Sequence, residues 1–443
     1  MPKSRAFCDS LTRRSLLQVG GGMLFGRSFG LDQLLAAPAE RSAGAATETS
    51  MILLFLKGGL STIDTLDMKP QAPAEFRGPF SPVATAVPGI EIGEDLPQLA
   101  REMGHFSLVR NFAHRNSDHG PADHYMLTGY HPVAGFNPNL NPNNQRPAHG
   151  AVIARQLGPR GSVPPYVCLP RMHASGGPAF LGPSAAPFVV EADPNSPGFA
   201  VPNLQPPLVV DPRRFDDRKS LLEAVDRYRR SGDLAANRPA ASINTFQQRA
   251  FDLMTSSATR KAFDIGDEPV ETRERYGRNS LGQCCLMARR LVEAGVRCVA
   301  IDHTNWDTHD NNFQVLRNDL LPLLDRGVSA LFADLHQRGL LKSTLVVVTG
   351  EFGRTPRINA NAGRDHWGPS FTVALGWGGV QGGRVVGRSD ARAERPDGPH
   401  YGPEELSATL YRLLGIDPAT EFHTPEGRPV KIADSSRVIS ELL

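Results

Sequence analysis

Strand and helix signals alternate regularly through the C-terminal part of the chain, and this alternation most constrains the fold. A helix is predicted from Asn279 or Ser280, either of which can cap it, to Gly295, with apolar residues at three- or four-residue spacing. Strand signals follow at 296–301 and Thr344–Thr349, with a long helical pattern between them. Strand–helix–strand alternation predicts a mostly parallel sheet with helices on both faces.

Further elements are predicted outside this region. "MILLFLKGG" (51–59) indicates a buried strand, followed by a helix at 96–103 and a strand near 106–110. "FTVALGWGG" indicates another strand and "ELSATLYRLLGI" a final helix. The density of Pro, Gly and Asn in 132–212 predicts long irregular loops. The charged, helical pattern at about 215–277 predicts a helical insertion in one α/β domain that runs from residue 51 to residue 443.

The N-terminal segment is typical of an export signal. Arg13 and Arg14 precede a weakly apolar, glycine-containing stretch, and Ala37-Pro38-Ala39 fits a cleavage site. We therefore expect a twin-arginine signal peptide over 1–39, a linker over 40–50, and a periplasmic or otherwise exported protein handled by the twin-arginine translocation machinery. The apolar stretch is too short and too interrupted to span a membrane, so no span is expected in the mature protein. A basic leader on a cytosolic protein is the alternative.

Charge and cysteine content exclude two classes of protein. The net charge is +2, and the chain has no basic run with interleaved aromatic residues, so a nucleic-acid partner is not expected. Beyond the leader the cysteines are Cys168, Cys284, Cys285 and Cys298, without a C-x-x-C pair. This pattern suits neither a disulfide framework nor a thiolate zinc site, and packing is the favoured interpretation.

Polar clusters follow the predicted strands. Asp307 and His309 lie in the segment after strand 296–301, Glu351 to Arg354 follow the next strand, and "GRDHW" with Asp365 and His366 precedes "FTVAL". Carboxylates and imidazoles from separate loops are the ligand mix that a divalent ion requires. Two alternatives remain open. The nearby side chains of Asp302, His303, Asp310 and Asp365 could replace these ligands, or the clusters could merely cap and cross-link loops.

Several motifs resemble those of sulfatases in the alkaline-phosphatase superfamily. "DHGPADHYMLTG" resembles the segment in which that superfamily carries its nucleophile at a helix N-terminus, and it places His119 at the nucleophile position. "TGEFG" resembles a metal-binding T-S-D-H-G segment, with Glu351 in place of Asp and Phe352 in place of His. "NWDTHDNN" and "GRDHW" resemble the remaining ligand segments.

The whole chain is similar to a narrower group, the exported bacterial family known as domain of unknown function 1501. The segments "TRRSLLQVGGG", "LFLKGGLSTIDTLDMKP", "YMLTGY", "ARRLVEAGVR", "WDTHDNN" and "GEFGRTPRIN" occur in the expected order. This resemblance implies an alkaline-phosphatase-like α/β fold.

The resemblance also implies roles for particular residues. A divalent metal (Zn, Ca, Mg or Mn) would be held by Asp307, His309, His366 and perhaps Glu351, which could instead act as a base. His119 would be a general base or a covalent nucleophile. Arg354 would clamp an anion, and the remaining substrate contacts would come from Gly58, Gly59 and Asp365.

The implied activity is hydrolysis of phosphate or sulfate esters, or of a related small anionic or carbohydrate-ester substrate. The departures favour an alternative. The first strand ends in Lys57-Gly58-Gly59 where the superfamily has a metal-binding Asp, and no Ser, Thr or Cys occupies the nucleophile position. A non-catalytic binding or scaffold protein with the same fold is therefore the second hypothesis.

Overall fold

The structure is a computed structural model that describes residues 48–201, 204 and 256–443. The predicted leader and most of the predicted insertion lie outside the described residues. The strands are β1 (Ser50–Leu56), β2 (Pro82–Ala84), β3 (Glu91–Gly93), β4 (Ser107–Phe112), β5 (Tyr166–Leu169), β6 (Phe188–Val189), β7 (Cys298–His303), β8 (Thr344–Thr349), β9 (Gly353–Arg354), β10 (His366–Trp367), β11 (Phe371–Gly376), β12 (Val385–Val386), β13 (Glu421–His423) and β14 (Pro429–Lys431). The α-helices are α1 (Ala74–Arg77), α2 (Pro97–Arg101), α3 (His119–Thr128), α4 (His149–Leu157), α5 (Ser257–Phe263), α6 (Val270–Tyr276), α7 (Ser280–Glu293), α8 (Asn312–Val315), α9 (Leu321–Gln337) and α10 (Pro403–Leu413).

An eight-stranded sheet in the order β12-β4-β11-β8-β1-β7-β5-β6 forms the centre of the fold. Strand β1 pairs in parallel with both β7 and β8, whereas β11 is antiparallel to β8 and β4. The central strands β1 and β8 are buried along their whole length. Their continuous runs of apolar β-branched and aliphatic residues are typical of strands that are covered on both faces. The sheet is therefore mostly parallel, with one reversed strand inside it.

Helices cover both faces of this sheet. One core cluster joins the sheet to α2, α7 and α9, and the other joins the opposite face to α3, α4 and α10. Helix α7 begins where the sequence predicts it, because the Asn279 side chain accepts a hydrogen bond from the Gly282 N–H at 2.8 Å. The predicted α/β fold class is confirmed.

Two sequence predictions need correction. The segment 132–212 is not only loops, since it contributes α4 and the sheet strands β5 and β6 to the described residues. Their short apolar runs lie among prolines and glycines, and the turn signals obscured them. The long helix predicted up to Gly339 is continuous but contains a π-helical turn at Leu316–Leu320 between α8 and α9. The four described cysteines, Cys168, Cys284, Cys285 and Cys298, are free and buried, as the packing interpretation requires.

Candidate metal centre

The candidate functional residues lie at the edge of the sheet where the carboxyl ends of its parallel strands meet. Asp307 and His309 follow β7, and Glu351 follows β8. His119 begins α3, which follows β4. Because β11 runs in the opposite direction, the segment that precedes it and carries His366 reaches the same edge. Loops that are distant in sequence therefore converge here.

A short two-stranded ladder fixes the position of His366. Strand β9 pairs antiparallel with β10, so that Arg354 lies opposite His366. The ring of Phe352 stacks on the His366 imidazole, with centroids 4.5 Å apart and an interplanar angle of 28°. Phe352 cannot bind a metal, and its contact instead restricts the orientation of an imidazole that can.

Asp307 and three imidazoles form a compact cluster. Asp307 Oδ1 lies 3.1 Å from Nε2 of His309 and 3.1 Å from Nε2 of His366, and these two nitrogens are 2.9 Å apart. His119 Nε2 lies 3.3 Å from the other oxygen, Asp307 Oδ2. His119, Asp307 and His366 each have a ligand atom within 4.8 Å of the others. All four side chains therefore face one small volume.

The second nitrogen of each imidazole has an acceptor of its own. Nδ1 of His119 lies 2.6 Å from Glu351 Oε1, Nδ1 of His309 lies 2.7 Å from Asp365 Oδ1, and Nδ1 of His366 lies 2.8 Å from the Ser117 carbonyl oxygen. Because these oxygens only accept, each Nδ1 carries the proton and donates it. The Nε2 lone pairs are then free and directed at the cluster, as in imidazoles that bind a metal.

The donor set fits a single divalent ion. Donors that bind one ion at about 2.1 Å lie about 3.0–3.4 Å from one another, which matches the spacing of Asp307, His309 and His366. Two imidazole nitrogens and one carboxylate oxygen suit zinc and other borderline divalent ions. These three residues would hold the ion, and the Asp365 carboxylate and Ser117 carbonyl behind the imidazoles would orient them.

The electrostatics of the cluster also favour a positive charge at this point. Hydrogen bonds to Asp307 and to Glu351 raise the pKa of His119 to about 9. Partial burial opposes ionisation of Asp307, but its contacts with His119, His366 and Arg354 hold the pKa of this carboxyl well below its usual range. Besides the Arg354 guanidinium, the Asp307 carboxylate therefore favours a second positive charge nearby, which either a second proton on His119 or a bound ion can supply.

Glu351 lies behind His119. Its carboxylate is fully buried and accepts hydrogen bonds from the Gly58 N–H at 2.8 Å (Oε1) and 3.1 Å (Oε2), as well as from His119. Burial raises the pKa of Glu351, and the nearby Asp123 carboxylate adds to this, whereas His119 opposes it. The expected base role fits this position through His119. A metal-ligand role does not, because Glu351 contacts Nδ1 of His119, on the side of the ring that faces away from the cluster at Nε2.

Arg354 is placed differently from the anion clamp expected from the sequence. Its side chain has no solvent exposure, and its nitrogens donate to the Gly59 carbonyl at 3.1 Å, the Arg364 carbonyl at 3.1 Å, the Gly58 carbonyl and Asp307 Oδ1. Burial lowers the pKa of Arg354 and the Asp307 carboxylate opposes this. The guanidinium therefore joins three loops and holds Asp307 in place instead of facing a substrate.

The expected substrate-binding residues also serve internal contacts. The Gly58 N–H donates to Glu351, and the Gly59 N–H donates to the Leu56 carbonyl at 3.2 Å. A Cβ atom at Gly58 would lie 2.4 Å from the Asp307 backbone nitrogen, so this glycine permits the close approach of the Asp307 loop. Asp365 is exposed, and its carboxylate orients His309.

The alternative ligands considered from the sequence do not join the cluster. His303 Nδ1 accepts from the Trp306 indole at 3.0 Å, and Asp310 Oδ1 accepts from Asn361 at 2.6 Å. Asp302 lies in a separate buried polar group with Asp123 and His173, whose Nε2 is 3.3 Å from Asp123 Oδ2. Sequence reasoning missed this group. The placement of Asp123 four residues after His119, on the same face of α3, is the signal that could have found it.

The fold and the cluster define an α/β protein with a candidate His/Asp metal centre at the carboxyl edge of its sheet. The chain belongs to the family described as "Protein of unknown function (DUF1501)", whose model matches residues 48–443. No curated protein matches the sequence. Among the residues that the structure describes, no helix is both long enough and apolar enough to cross a membrane.

Solved structures with a similar fold match this chain at low sequence identity. They include a protein of the alkaline phosphatase superfamily from Vibrio parahaemolyticus, with 11% identity, a TM-score of 0.41, and 87% of this chain and 74% of that chain covered. The PsFucS1 sulfatase from Pseudoalteromonas sp. has 13% identity, a TM-score of 0.34, and coverages of 87% and 70%. The phosphonate monoester hydrolase SpPMH from Silicibacter pomeroyi has 13% identity, a TM-score of 0.31, and coverages of 84% and 74%.

Proposed function

We propose that the protein is an exported metal-dependent hydrolase of phosphate or sulfate esters, or of a related small anionic ester. One divalent ion is held by Asp307, His309 and His366, and His119 works beside it. The reaction class is proposed by analogy, because the motifs of this chain resemble those of sulfatases. The metal centre itself rests on the geometry of this chain.

The observation that carries the proposal is the orientation of the imidazoles. Three histidines from separate loops each donate Nδ1–H to an oxygen and direct Nε2 toward Asp307. Imidazoles that bind a metal almost always have such an acceptor behind the other ring nitrogen, and the same arrangement suits a general base, which is the role assigned to His119 below. When bound, a divalent ion would polarise an ester oxygen and offset the charge that develops in the transition state.

His119 and Glu351 form the second part of the proposal. The Glu351 carboxylate accepts the Nδ1–H of His119, and a bound ion would replace the second proton on His119 and so leave Nε2 able to take a proton. The His119 side chain is one-third exposed, so water or substrate can reach it, whereas Glu351 is closed to solvent. We assign His119 as the general base that removes a proton from the attacking group, with Glu351 fixing its tautomer.

The N-terminus of α3 favours an anionic substrate. The helix has ten residues, its first turn carries no acidic side chain, and the N-cap residue Asp118 makes no side-chain cap hydrogen bond. The first turn can offer the N–H groups of His119 and Gly120, because Pro121 has none and the Ala122 N–H donates to the Asp118 carbonyl at 3.0 Å. Such groups attract anions, and the positive end of the helix dipole adds to this. These groups lie next to His119, where the anionic part of an ester would be placed for attack.

Metal content provides the first test. The protein purified after export from its native host should contain about one divalent ion per chain by elemental analysis, and His366→Ala should remove it. His423→Ala, at an exposed histidine of β13 that lies outside the cluster, is the matched control and should retain the ion. An unaltered chain without metal would refute the proposed centre.

Turnover provides the second test. Aryl phosphates, phosphodiesters and aryl sulfates should be hydrolysed by the loaded protein, and His119→Gln should reduce kcat by about 10²–10⁴-fold while metal content stays unchanged. Glu351→Gln should also reduce kcat, because an amide no longer enforces the Nδ1–H tautomer. Loss of metal in His119→Gln would make His119 a ligand instead of a base.

A non-catalytic binding protein is the second candidate. The observation in its favour is that Arg354, Gly58 and Gly59 donate their hydrogen bonds to acceptors inside the protein and not to a substrate site. On this alternative the metal centre binds an anionic ligand without turnover. Retained metal and measurable binding of inorganic phosphate or sulfate, with no hydrolysis of any ester in the screen, would support it.

A further inference from the structure

A buried ion pair lies beneath the candidate metal centre and takes no direct part in it. Asp64 and Arg364 are both fully buried and form a bidentate contact, with Arg364 Nε 2.7 Å from Asp64 Oδ2 and Nη2 2.8 Å from Oδ1. Arg364 comes two residues before His366. Asp64 lies on a 3₁₀ turn, Thr62–Asp64, that follows β1.

Every hydrogen-bonding group of this pair is engaged. Besides Asp64, Arg364 donates to the Thr355 carbonyl at 3.0 Å, to the Phe76 carbonyl at 2.7 Å, and to the Pro356 carbonyl. All five guanidinium N–H groups thus have acceptors. A buried pair is costly unless it is fully satisfied, and a satisfied pair between segments distant in sequence fixes their relative positions.

The same carboxylate also holds the loop that carries the other ligands. Asp64 Oδ2 accepts from Asn312 Nδ2 at 2.9 Å, and Asn312 Oδ1 accepts from Thr308 Oγ1 at 2.6 Å. Thr308 is buried and lies between Asp307 and His309. Asp64 is therefore connected on one side to Thr308 and on the other to Arg364.

The two loops are also pressed together at the backbone. The Arg364 N–H donates to the Thr308 carbonyl at 3.1 Å, and the Asn312 N–H donates to the Ala362 carbonyl at 3.0 Å. A Cβ atom at Gly363 would lie only 1.7 Å from the His309 carbonyl oxygen. Small movements of either loop are thus transmitted directly to the other.

We infer that Asp64, Arg364, Asn312 and Thr308 form a positioning network that sets the spacing of Asp307, His309 and His366 and so determines the affinity and geometry of the metal centre. The inference rests on the proposed function. It assigns a role to residues that touch neither the ion nor the substrate. Groups behind metal ligands commonly alter metal affinity by about 10-fold to 100-fold when they are removed.

The test compares metal binding and folding in the same variants. Thr308→Val removes one hydroxyl at nearly constant volume, whereas Thr308→Ser keeps it and is the conservative rescue. Asp64→Asn disrupts the central carboxylate. Asp334→Asn is the matched control, because Asp334 is equally buried and 2.9 Å from Arg289 in an ion pair outside the metal centre.

Zinc affinity should be measured by competition with a chromogenic chelator, and ligand geometry by the visible absorption of the cobalt-substituted protein. Thr308→Val and Asp64→Asn should lower zinc affinity by about 10-fold to 100-fold and change the cobalt spectrum. Thr308→Ser should retain both properties of the unaltered protein. Asp334→Asn should lower the unfolding midpoint without changing zinc affinity or the spectrum.

The possible failures are distinguishable. An unaltered protein that binds neither zinc nor cobalt would overturn the proposed function, and this inference with it. Zinc affinity and cobalt spectra that are the same in the unaltered protein, Thr308→Val and Asp64→Asn would overturn the positioning network alone. Equal losses of affinity in Asp334→Asn and Thr308→Val would also overturn it, because general destabilisation would then explain both.

Discussion

Replacement of Gly58 by alanine should damage the candidate metal centre through the backbone of Asp307. Gly58 has a φ of +117°, and a Cβ atom there would lie 2.4 Å from the Asp307 nitrogen and 2.7 Å from the Trp306 carbonyl carbon. Ordinary contacts begin at about 3.4 Å, so the two segments must separate by about 1 Å (3.4 − 2.4). Ligands must be held to within about 0.5 Å, and a displacement of this size should therefore weaken metal binding.

The expected magnitudes have two parts. A non-glycine residue at this φ costs about 1–3 kcal/mol of folding free energy, and the clash with backbone atoms adds to that cost. Zinc affinity should fall by at least the 10-fold to 100-fold that follows loss of a supporting group. Chemical denaturation measures the first quantity, and chelator competition measures the second.

Gly398→Ala separates strain from displacement. Gly398 has a similar φ of +103°, but nothing lies within 4 Å of a Cβ atom placed there. It should lose about 1–3 kcal/mol and keep its zinc affinity. If Gly58→Ala were no less stable than Gly398→Ala and bound zinc as tightly as the unaltered protein, the close approach of Gly58 to Asp307 would have no functional meaning.

Three further predictions follow from the described contacts. Arg354→Met should lower the unfolding free energy by about 1–3 kcal/mol in denaturant titrations, because it leaves the carbonyl oxygens of Gly59 and Arg364 without their guanidinium donor; a loss below about 0.5 kcal/mol would contradict its role in joining the loops. Burial opposes ionisation of Asp334, but hydrogen bonding to Arg338 and the charge of Arg289 lower its pKa in the folded state. The stability that Asp334 contributes is therefore present above its unfolded pKa and is lost as the pH falls through its folded pKa. The unfolding midpoint of the unaltered protein should therefore fall more steeply below about pH 5 than that of Asp334→Asn, and parallel curves would refute this. Phe352→Ala should weaken zinc binding because it removes the ring that stacks on His366, whereas Phe352→Tyr, which keeps the ring, should not; equal affinity in both would show that the stacking is incidental.

Much of the candidate site follows from one rule about strand ends. Asp307, His309 and His366 could be identified because the carboxyl edge of a parallel sheet gathers the segments that follow its strands. The placement of His366 also required β11 to be reversed, which the strand pattern alone does not reveal. His366 was therefore predicted from the motif "GRDHW" and not from its position in the sheet.

The functions of Arg354 and Glu351 could not be read from the sequence. Both are charged residues after a buried strand, and such residues commonly face ligands. Whether they do so depends on how closely neighbouring loops approach. Gly58 allows the Asp307 loop to close over this region, so that Arg354 is buried among carbonyl oxygens and Glu351 lies behind His119. Such long-range contacts leave no local periodicity.

The reversal of β11 has a consequence for the stage at which the protein would acquire the proposed metal. The proposed ligands span Asp307 to His366, and His366 is brought to the edge only when β11 pairs with β4 and β8. A metal centre that depends on this pairing cannot form on a nascent chain before its C-terminal third has been synthesised and folded. Since the expected twin-arginine route carries folded proteins, the ion would be chosen in the compartment where folding ends, before export. The metal supply of the cytoplasm, and not that of the periplasm, would then decide which ion the protein carries.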